Sequence, residues 1–279
     1  MTVLVIRELS ELRRKVRAGT HAFVPTMGNL HSGHAALVRE ARRRSECVAV
    51  SIFVNRLQFL PHEDFDRYPR TFERDCALLS AEGVDVVFAP NEQTLYPEPQ
   101  QYIVDPSSMA NELEGTFRPR FFHGVATVVL KLFNCVRPSI AIFGKKDYQQ
   151  LLVISGMVKQ LNLPIEIVGG EIVREQDGLA LSSRNNYLSA TERREAPHLF
   201  RELRNVAAQI ARHPSDLLAP CMDAQRSLDS RGWQCDYVEV RRQGDLERAE
   251  SSDHKLVILG AARLGGTRLI DNLEMTIAI

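Results

Sequence analysis

Short apolar runs alternate with longer stretches in which apolar residues recur every third or fourth position, and this alternation fills the first half of the chain. AFVPTM (22–27) reads as a strand, and Ser32 to Arg44 as a helix with Leu37, Val38 and Ala41 on one face. CVAVSIFV (47–54) is almost continuously apolar, the composition of a central parallel strand covered on both sides. Phe72 to Ala81 reads as a helix and VDVVFAP (84–90) as a strand. A helix follows over Gly124 to Cys135, stopped by Pro138; then come SIAIFG (139–144) as a strand, Asp147 to Gln160 as a helix, and IEIVG (165–169) as a last strand. Strands alternating with helices predict an α/β unit built on a parallel sheet.

The pattern then changes. Residues 189–230 are long, charged and helical, with Ser189 as N-cap and Glu192 completing a capping box. QCDYVEV (234–240), HKLVILGAARL (254–264) and TRLIDNL (267–273) are strand candidates separated by turn signals. A smaller α+β domain with an antiparallel sheet is expected there. The boundary falls within 170–188, dividing the chain into residues 1–175 and 176–279.

Composition narrows the function. The 279 residues carry 35 Lys plus Arg against 35 Asp plus Glu, so net charge gives no support for nucleic acid or an anionic membrane as partner. Five scattered cysteines, never in a CxxC pair, argue against a disulfide framework or a structural zinc site. The N-terminal stretch lacks the apolar run and cleavage site of a signal peptide, and no stretch is long and apolar enough to span a bilayer; the cytoplasm is the expected compartment.

The strongest chemical signal is Pro25-Thr26-Met27-Gly28-Asn29-Leu30-His31-Ser32-Gly33-His34, between the first of these strands and its helix. Ligands of open α/β sheets gather beyond the carboxyl ends of strands. A helix N-terminus there offers unpaired N–H groups to phosphate. Gly28 and Gly33 allow close backbone approach, and His31 and His34 share a helical face over one phosphate chain. A metal pair is the competing reading, but HExxH is absent and no third ligand is evident nearby. The segment is neither a Walker loop nor GxGxxG.

HSGH matches the HxGH motif of nucleotidylyltransferases and class I aminoacyl-tRNA synthetases. VPTMGNLHSGH, SIFVNRLQF, DFDRYPRTFERD, FGKKDYQQL and DGLALSSRN, in this order, resemble the pantothenate synthetase family along nearly the whole chain. The resemblance implies a Rossmann-like parallel-sheet domain with the HxGH motif, followed by a smaller C-terminal α+β lid domain. It implies a ligase that joins pantoate to β-alanine through a pantoyl-adenylate, splitting ATP to AMP and pyrophosphate, with Mg2+ on the phosphates and a homodimeric assembly. Under it His31, His34 and Lys146 contact phosphate oxygens, and Ser182, Ser183 and Arg184 form a second phosphate loop. Met27, Gly28, Gly33, Gly144 and Asp147 lie along the nucleotide. Gln58 and Gln150 hydrogen-bond the acid's hydroxyls, with Pro25, Met27 and Phe53 beside it. Asn55 and Tyr68 lie on the amine side, and Asp75 near the magnesium-bound phosphates.

Four departures from the family pattern stand out. Arg56 replaces a proline after Asn55; Phe121 stands where a histidine is customary, with His123 two residues on; Lys145 precedes Lys146; and Arg74 occupies an often acidic position. Either they are drift, or they re-aim the site toward a different small acid or amine. Two other classes compete: a plain adenylyltransferase, in which Gln58 and Gln150 have no role, and a non-catalytic binding paralog, against which the retained His31, His34, Lys146 and Ser182-Ser183-Arg184 speak.

Overall fold

The computed structural model describes residues 3–61, 63 and 65–277. Two compact units emerge: the chain up to Lys145 together with Gln150–Glu171, and Ile172 onward together with Lys146–Gln149.

In the first unit β1 (Leu4–Ile6), α1 (Leu9–Lys15), β2 (Ala22–Thr26), α2 (Ser32–Arg44), β3 (Val48–Ile52), α3 (Phe72–Ala81) and β4 (Val86–Phe88) follow one another. Two single turns, α4 (Glu92–Leu95) and α5 (Glu114–Phe117), precede α6 (Phe121–Val136), β5 (Ile140–Gly144), α7 (Tyr148–Gln160) and β6 (Glu166–Gly170). All strand pairings are parallel, in the order β1-β4-β3-β2-β5-β6. Successive residues of β3 explain its apolar run: Val48 and Val50 enter a core with Val38 and Leu79, while Ala49 faces the opposite core with Phe23, Phe88 and Phe133. A strand buried on both faces has no polar side to alternate with.

Three local differences from expectation have physical reasons. β1 is absent from the elements the sequence predicts; at three residues it is too short to show a period. Helix α6 begins at Phe121, three residues before Gly124, because that glycine marks a close packing contact inside the helix and not its start. The stretch 189–230 forms three helices, α8 (Ala190–Glu195), α9 (His198–Arg212) and α10 (Ala219–Ser230). Pro197 has no N–H to continue α8, and Pro214 follows the end of α9.

In the second unit these helices accompany an antiparallel sheet of β7 (Trp233–Arg242), β8 (Lys255–Leu264) and β9 (Thr267–Thr276). Leu199, Leu203, Val206 and Ile210 form the buried stripe of α9 and pack with Val238, Leu256 and Ile258. The capping box at Ser189 is present: its N–H donates to Glu192 Oε2 at 2.7 Å and its Oγ accepts from the Glu192 N–H at 3.3 Å. No described helix is long and apolar enough to cross a membrane.

Candidate active site

The strand order turns back on itself between β2 and β5, which makes their carboxyl ends the switch point of the sheet. Pairing of β2 with β5 covers only Ala22–Ile140 and Phe23–Ala141, whereas pairing with β3 runs on to Thr26–Ile52. Pro25 has no N–H to donate, so it sits where one neighbour has already left the ladder. The sheet opens there, directly before the Met27–His34 segment.

That segment is held by named bonds. Thr26 Oγ1 donates to the Ser51 carbonyl at 2.7 Å and accepts from the Gly28 N–H at 3.2 Å. Gly28 takes φ +84°, and a Cβ on it would stand 3.1 Å from both Asp75 Oδ2 and Ile52 Cγ2. The Asp75 carboxylate, 1% exposed, accepts the N–H groups of Asn29 (2.9 Å) and Leu30 (2.8 Å) and the Thr71 hydroxyl (3.0 Å). The family resemblance puts Asp75 near magnesium-bound phosphates. In the structure both of its oxygens accept hydrogen bonds, from the loop it anchors and from Thr71.

His31 is the N-cap of α2. Its Nδ1 accepts the Gly33 N–H at 3.1 Å, and His34 Nδ1 accepts the His31 N–H at 3.3 Å, so the two rings form a reciprocal capping box with centroids 4.2 Å apart. A ring nitrogen that accepts an N–H carries no proton, so each neutral ring is the Nε2–H tautomer. Two Nε2–H donors at a helix N-terminus, beyond the switch point of a parallel sheet, form a site for an anion with several oxygens.

The loop after β3 supplies the next wall. Phe53 packs against Tyr96 with centroids 6.0 Å apart. Asn55, 1% exposed, donates through Nδ2 to Gln58 Oε1 (3.1 Å) and the Gly124 carbonyl (3.2 Å), and Gln58 Nε2 lies 3.2 Å from Met27 Sδ. Gln58 and Met27, distant in sequence, are thus in contact. Tyr68 is buried and packs edge-on against Phe59. Gly144 ends β5, and Gln150 lies half-buried on α7.

In the second unit the Asn272 side chain donates to the Lys146 carbonyl at 3.0 Å, and Tyr148 donates to Glu274 Oε1 at 2.9 Å. Arg174 forms a bidentate pair with Asp271 (2.6 and 2.9 Å), donates to the Asn272 and Gly178 carbonyls, and lies 3.5 Å over the Phe200 ring. Neighbouring residues of β9 therefore hold both the Lys146 segment and the chain leading into Ser182-Ser183-Arg184. Ser182 caps the 3-10 turn Ser183–Tyr187 by accepting the Arg184 N–H at 3.3 Å. Ser182, Ser183 and Arg184 are half-buried, and Asp147 is exposed.

The sequence profile of the family described as Pantoate-beta-alanine ligase matches residues 2–274. The chain belongs to the pantoate-beta-alanine ligase family. It is similar to a pantothenate synthetase of Nitrosospira multiformis, 57% identical over 273 residues and covering 98% of each chain. Among solved structures it is similar to the pantothenate synthetase of Thermus thermophilus, with a TM-score of 0.93 and 43% identity over 97% of this chain and 99% of that one. A pantoate-beta-alanine ligase from Francisella tularensis, solved with β,γ-ATP and β-alanine, superposes with a TM-score of 0.82 at 31% identity, covering 97% of both chains.

In this ligase the four departures have local explanations. The Arg56 guanidinium lies 3.9 Å over the Phe65 ring and 3.8 Å from Glu92, largely in solvent. Lys145 pairs with Glu171 at 2.6 Å, His123 with Asp105 at 3.0 Å, and Arg74 is exposed. Phe121 lies under the Arg118 guanidinium at 3.7 Å, and Arg118 itself pairs with Glu63 and donates to the Gln58 carbonyl. Sequence reasoning missed Arg118 and Tyr96 as supports of this wall. Half-buried pairs between residues outside the helices and strands leave no periodic signal.

Proposed function

We propose that this chain condenses pantoate with β-alanine to pantothenate, using ATP as co-substrate and releasing AMP and pyrophosphate. The observation that carries the proposal is the pair of Nε2–H donors of His31 and His34 at the start of α2, beyond the opened β2–β5 switch point. A carboxylate is a poor acyl donor because its leaving group would be oxide. An acid oxygen attacks the α-phosphorus and pyrophosphate departs; the amine then attacks the acyl carbon, AMP leaves, and the amine loses a proton. Charge grows on phosphate oxygens in the first step, and donors already held in place stabilise it without reorganising. In this proposal His31 and His34 would supply such donors, and family membership adds Lys146 and the Ser182-Ser183-Arg184 turn as residues that would contact phosphate. Gly28, Gly33, Gly144 and Asp147 would line the nucleotide. Gln58, Gln150, Pro25, Met27 and Phe53 would receive the acid, and Asn55 and Tyr68 would lie toward the amine.

No side-chain nucleophile is required. Consistent with that, burial raises all five thiols, Cys221 and Cys235 to about 12. Magnesium, a cytoplasmic location and a homodimeric assembly form part of the same proposal, supported by family membership. Among the described residues no group of three or more His, Cys, Asp or Glu is arranged to hold a metal ion, and Asp75 is occupied by the loop. These residues do not build a magnesium cage.

The test uses pantoate labelled with 18O in its carboxylate, with ATP, magnesium and β-alanine, read by mass spectrometry. Pantothenate with one label transferred to AMP is expected. ADP and phosphate in place of AMP would point to an acyl phosphate and overturn the adenylate; absence of any amide would overturn the ligase reading.

A further inference from the structure

Tyr96 lies just past the single turn α4 and belongs to none of the motifs that carry the family resemblance. Its ring packs on Phe53 and carries the Lys131 ammonium 4.5 Å above its centroid, while Lys131 Nζ also donates to Gln100 Oε1 at 2.7 Å. Its hydroxyl donates to Asn55 Oδ1 at 2.9 Å. Burial and the nearby Glu92 carboxylate hold the phenol protonated well above its ordinary range, so it remains a donor at every working pH.

The Asn55 carboxamide has only one orientation that satisfies its surroundings. The Gly124 carbonyl can only accept, so the atom facing it at 3.2 Å is Nδ2, and the phenol meets Oδ1. The same Nδ2 donates to Gln58 at 3.1 Å, which forces Gln58 to turn its Oε1 inward. Its Nε2 therefore faces the other way, toward Met27 Sδ at 3.2 Å. A thioether is a weak acceptor, so a ligand oxygen arriving beside Met27 would be a better partner for those N–H groups.

We propose that Tyr96 is a positioning residue for substrate recognition: through Asn55 it fixes Gln58 as a donor, so that the site selects an acid bearing an acceptor oxygen, such as a hydroxyl, beside Met27. The inference rests on the assignment of the acid to the Met27–Gln58 wall made under Proposed function. Without the phenol, Asn55 Oδ1 is left without its donor in a buried place, and the Gly124 carbonyl alone still holds the Asn55–Gln58 pair in its orientation, so that the bias against turning over weakens. Gln58 would then present Nε2 or Oε1 in mixture.

Tyr96→Phe removes one oxygen and keeps the ring packing. The expected result is a loss of about tenfold in kcat/KM for pantoate, carried by KM, as follows from losing one oriented donor to a substrate hydroxyl. KM for ATP should stay within about twofold, since neither amide holds it in the proposed site, while KM for β-alanine, on whose side Asn55 lies, should rise less than KM for pantoate. The preference for pantoate over the analogue lacking its 2-hydroxyl should shrink in the variant. A uniform change in all three KM values together with a lowered Tm would show a merely structural phenol and overturn the proposal, as would unchanged kinetics. A second readout needs no turnover. The Gln58 side-chain NH2 resonances, assigned in the unliganded protein with Gln58→Glu, should shift or broaden in Tyr96→Phe. Unperturbed resonances would overturn the positioning role even if pantoate proved not to be the acid, whereas perturbed resonances with no amide product would sink the substrate assignment alone.

Discussion

Asp75→Asn isolates the force that shapes the Met27–His34 loop. The carboxylate receives two backbone N–H bonds, from Asn29 at 2.9 Å and Leu30 at 2.8 Å, with Thr71 Oγ1 at 3.0 Å. A carboxamide of the same shape keeps one acceptor oxygen and turns an NH2 group toward the other donor. One backbone N–H then loses its acceptor in a place that is 1% exposed. Leaving it unmet costs about 1–3 kcal/mol, and the surviving bond is weakened by roughly 1 kcal/mol on losing its charge. A total of about 3 kcal/mol corresponds to a fall of about 6–12 °C in the transition of a unit this size. The loop carries His31, so misplacement by about an ångström should also reduce kcat about 10²-fold. Differential scanning fluorimetry and a coupled AMP assay measure both. The reasoning would be refuted by a Tm within about 2 °C of the parent together with a raised magnesium requirement, which is what a metal ligand at this position would give.

Two further substitutions probe other supports. A Cβ at Gly124 would stand 2.1 Å from the Leu57 carbonyl and 2.8 Å from the Gln58 N–H, so Gly124→Ala should displace the turn carrying Gln58. We expect a loss of about 1–3 kcal/mol in urea unfolding with KM for the acid raised more than KM for ATP; equal KM changes would contradict it. His21 is fully buried and its pKa is lowered, chiefly by burial, from an ordinary 6.5. Below pH 6.5 the unfolded chain takes up a proton that the folded one refuses, so stability should fall on acidification by up to about 1.4 kcal/mol per pH unit until the lowered pKa is reached. His21→Gln should flatten that slope in urea midpoints between about pH 5 and 7; an unchanged slope would remove His21 as its source.

Elements with strong periods are legible in the sequence alone. The helix Ser32–Arg44 lies where the sequence places it, and the three C-terminal strands differ from expectation only at their ends. The HxGH segment is legible for a related reason, since its chemistry is concentrated in consecutive residues at a strand–helix junction. What is not legible depends on contacts between segments far apart in sequence. The anchoring of Asn29 and Leu30 by Asp75, the Tyr96–Asn55–Gln58 chain and the hold of Asn272 on Lys146 each join residues that no local pattern links. Asp75 shows the hazard most clearly. A carboxylate near a phosphate motif invites a metal role, while its bonds to the Asn29 and Leu30 amides come into view only in the fold.

The histidine cap of α2 sets a limit on how this ligase can be improved. Ser, Thr, Asp and Asn are the usual first choices at such a helix start, so a search for robustness would favour replacing His31 with one of them. Such a substitution keeps the helix end closed while deleting the ring assigned to the phosphates. In the proposed site, thermal tolerance and turnover would draw on the same atoms at this one residue, and selection for the first would discard the second.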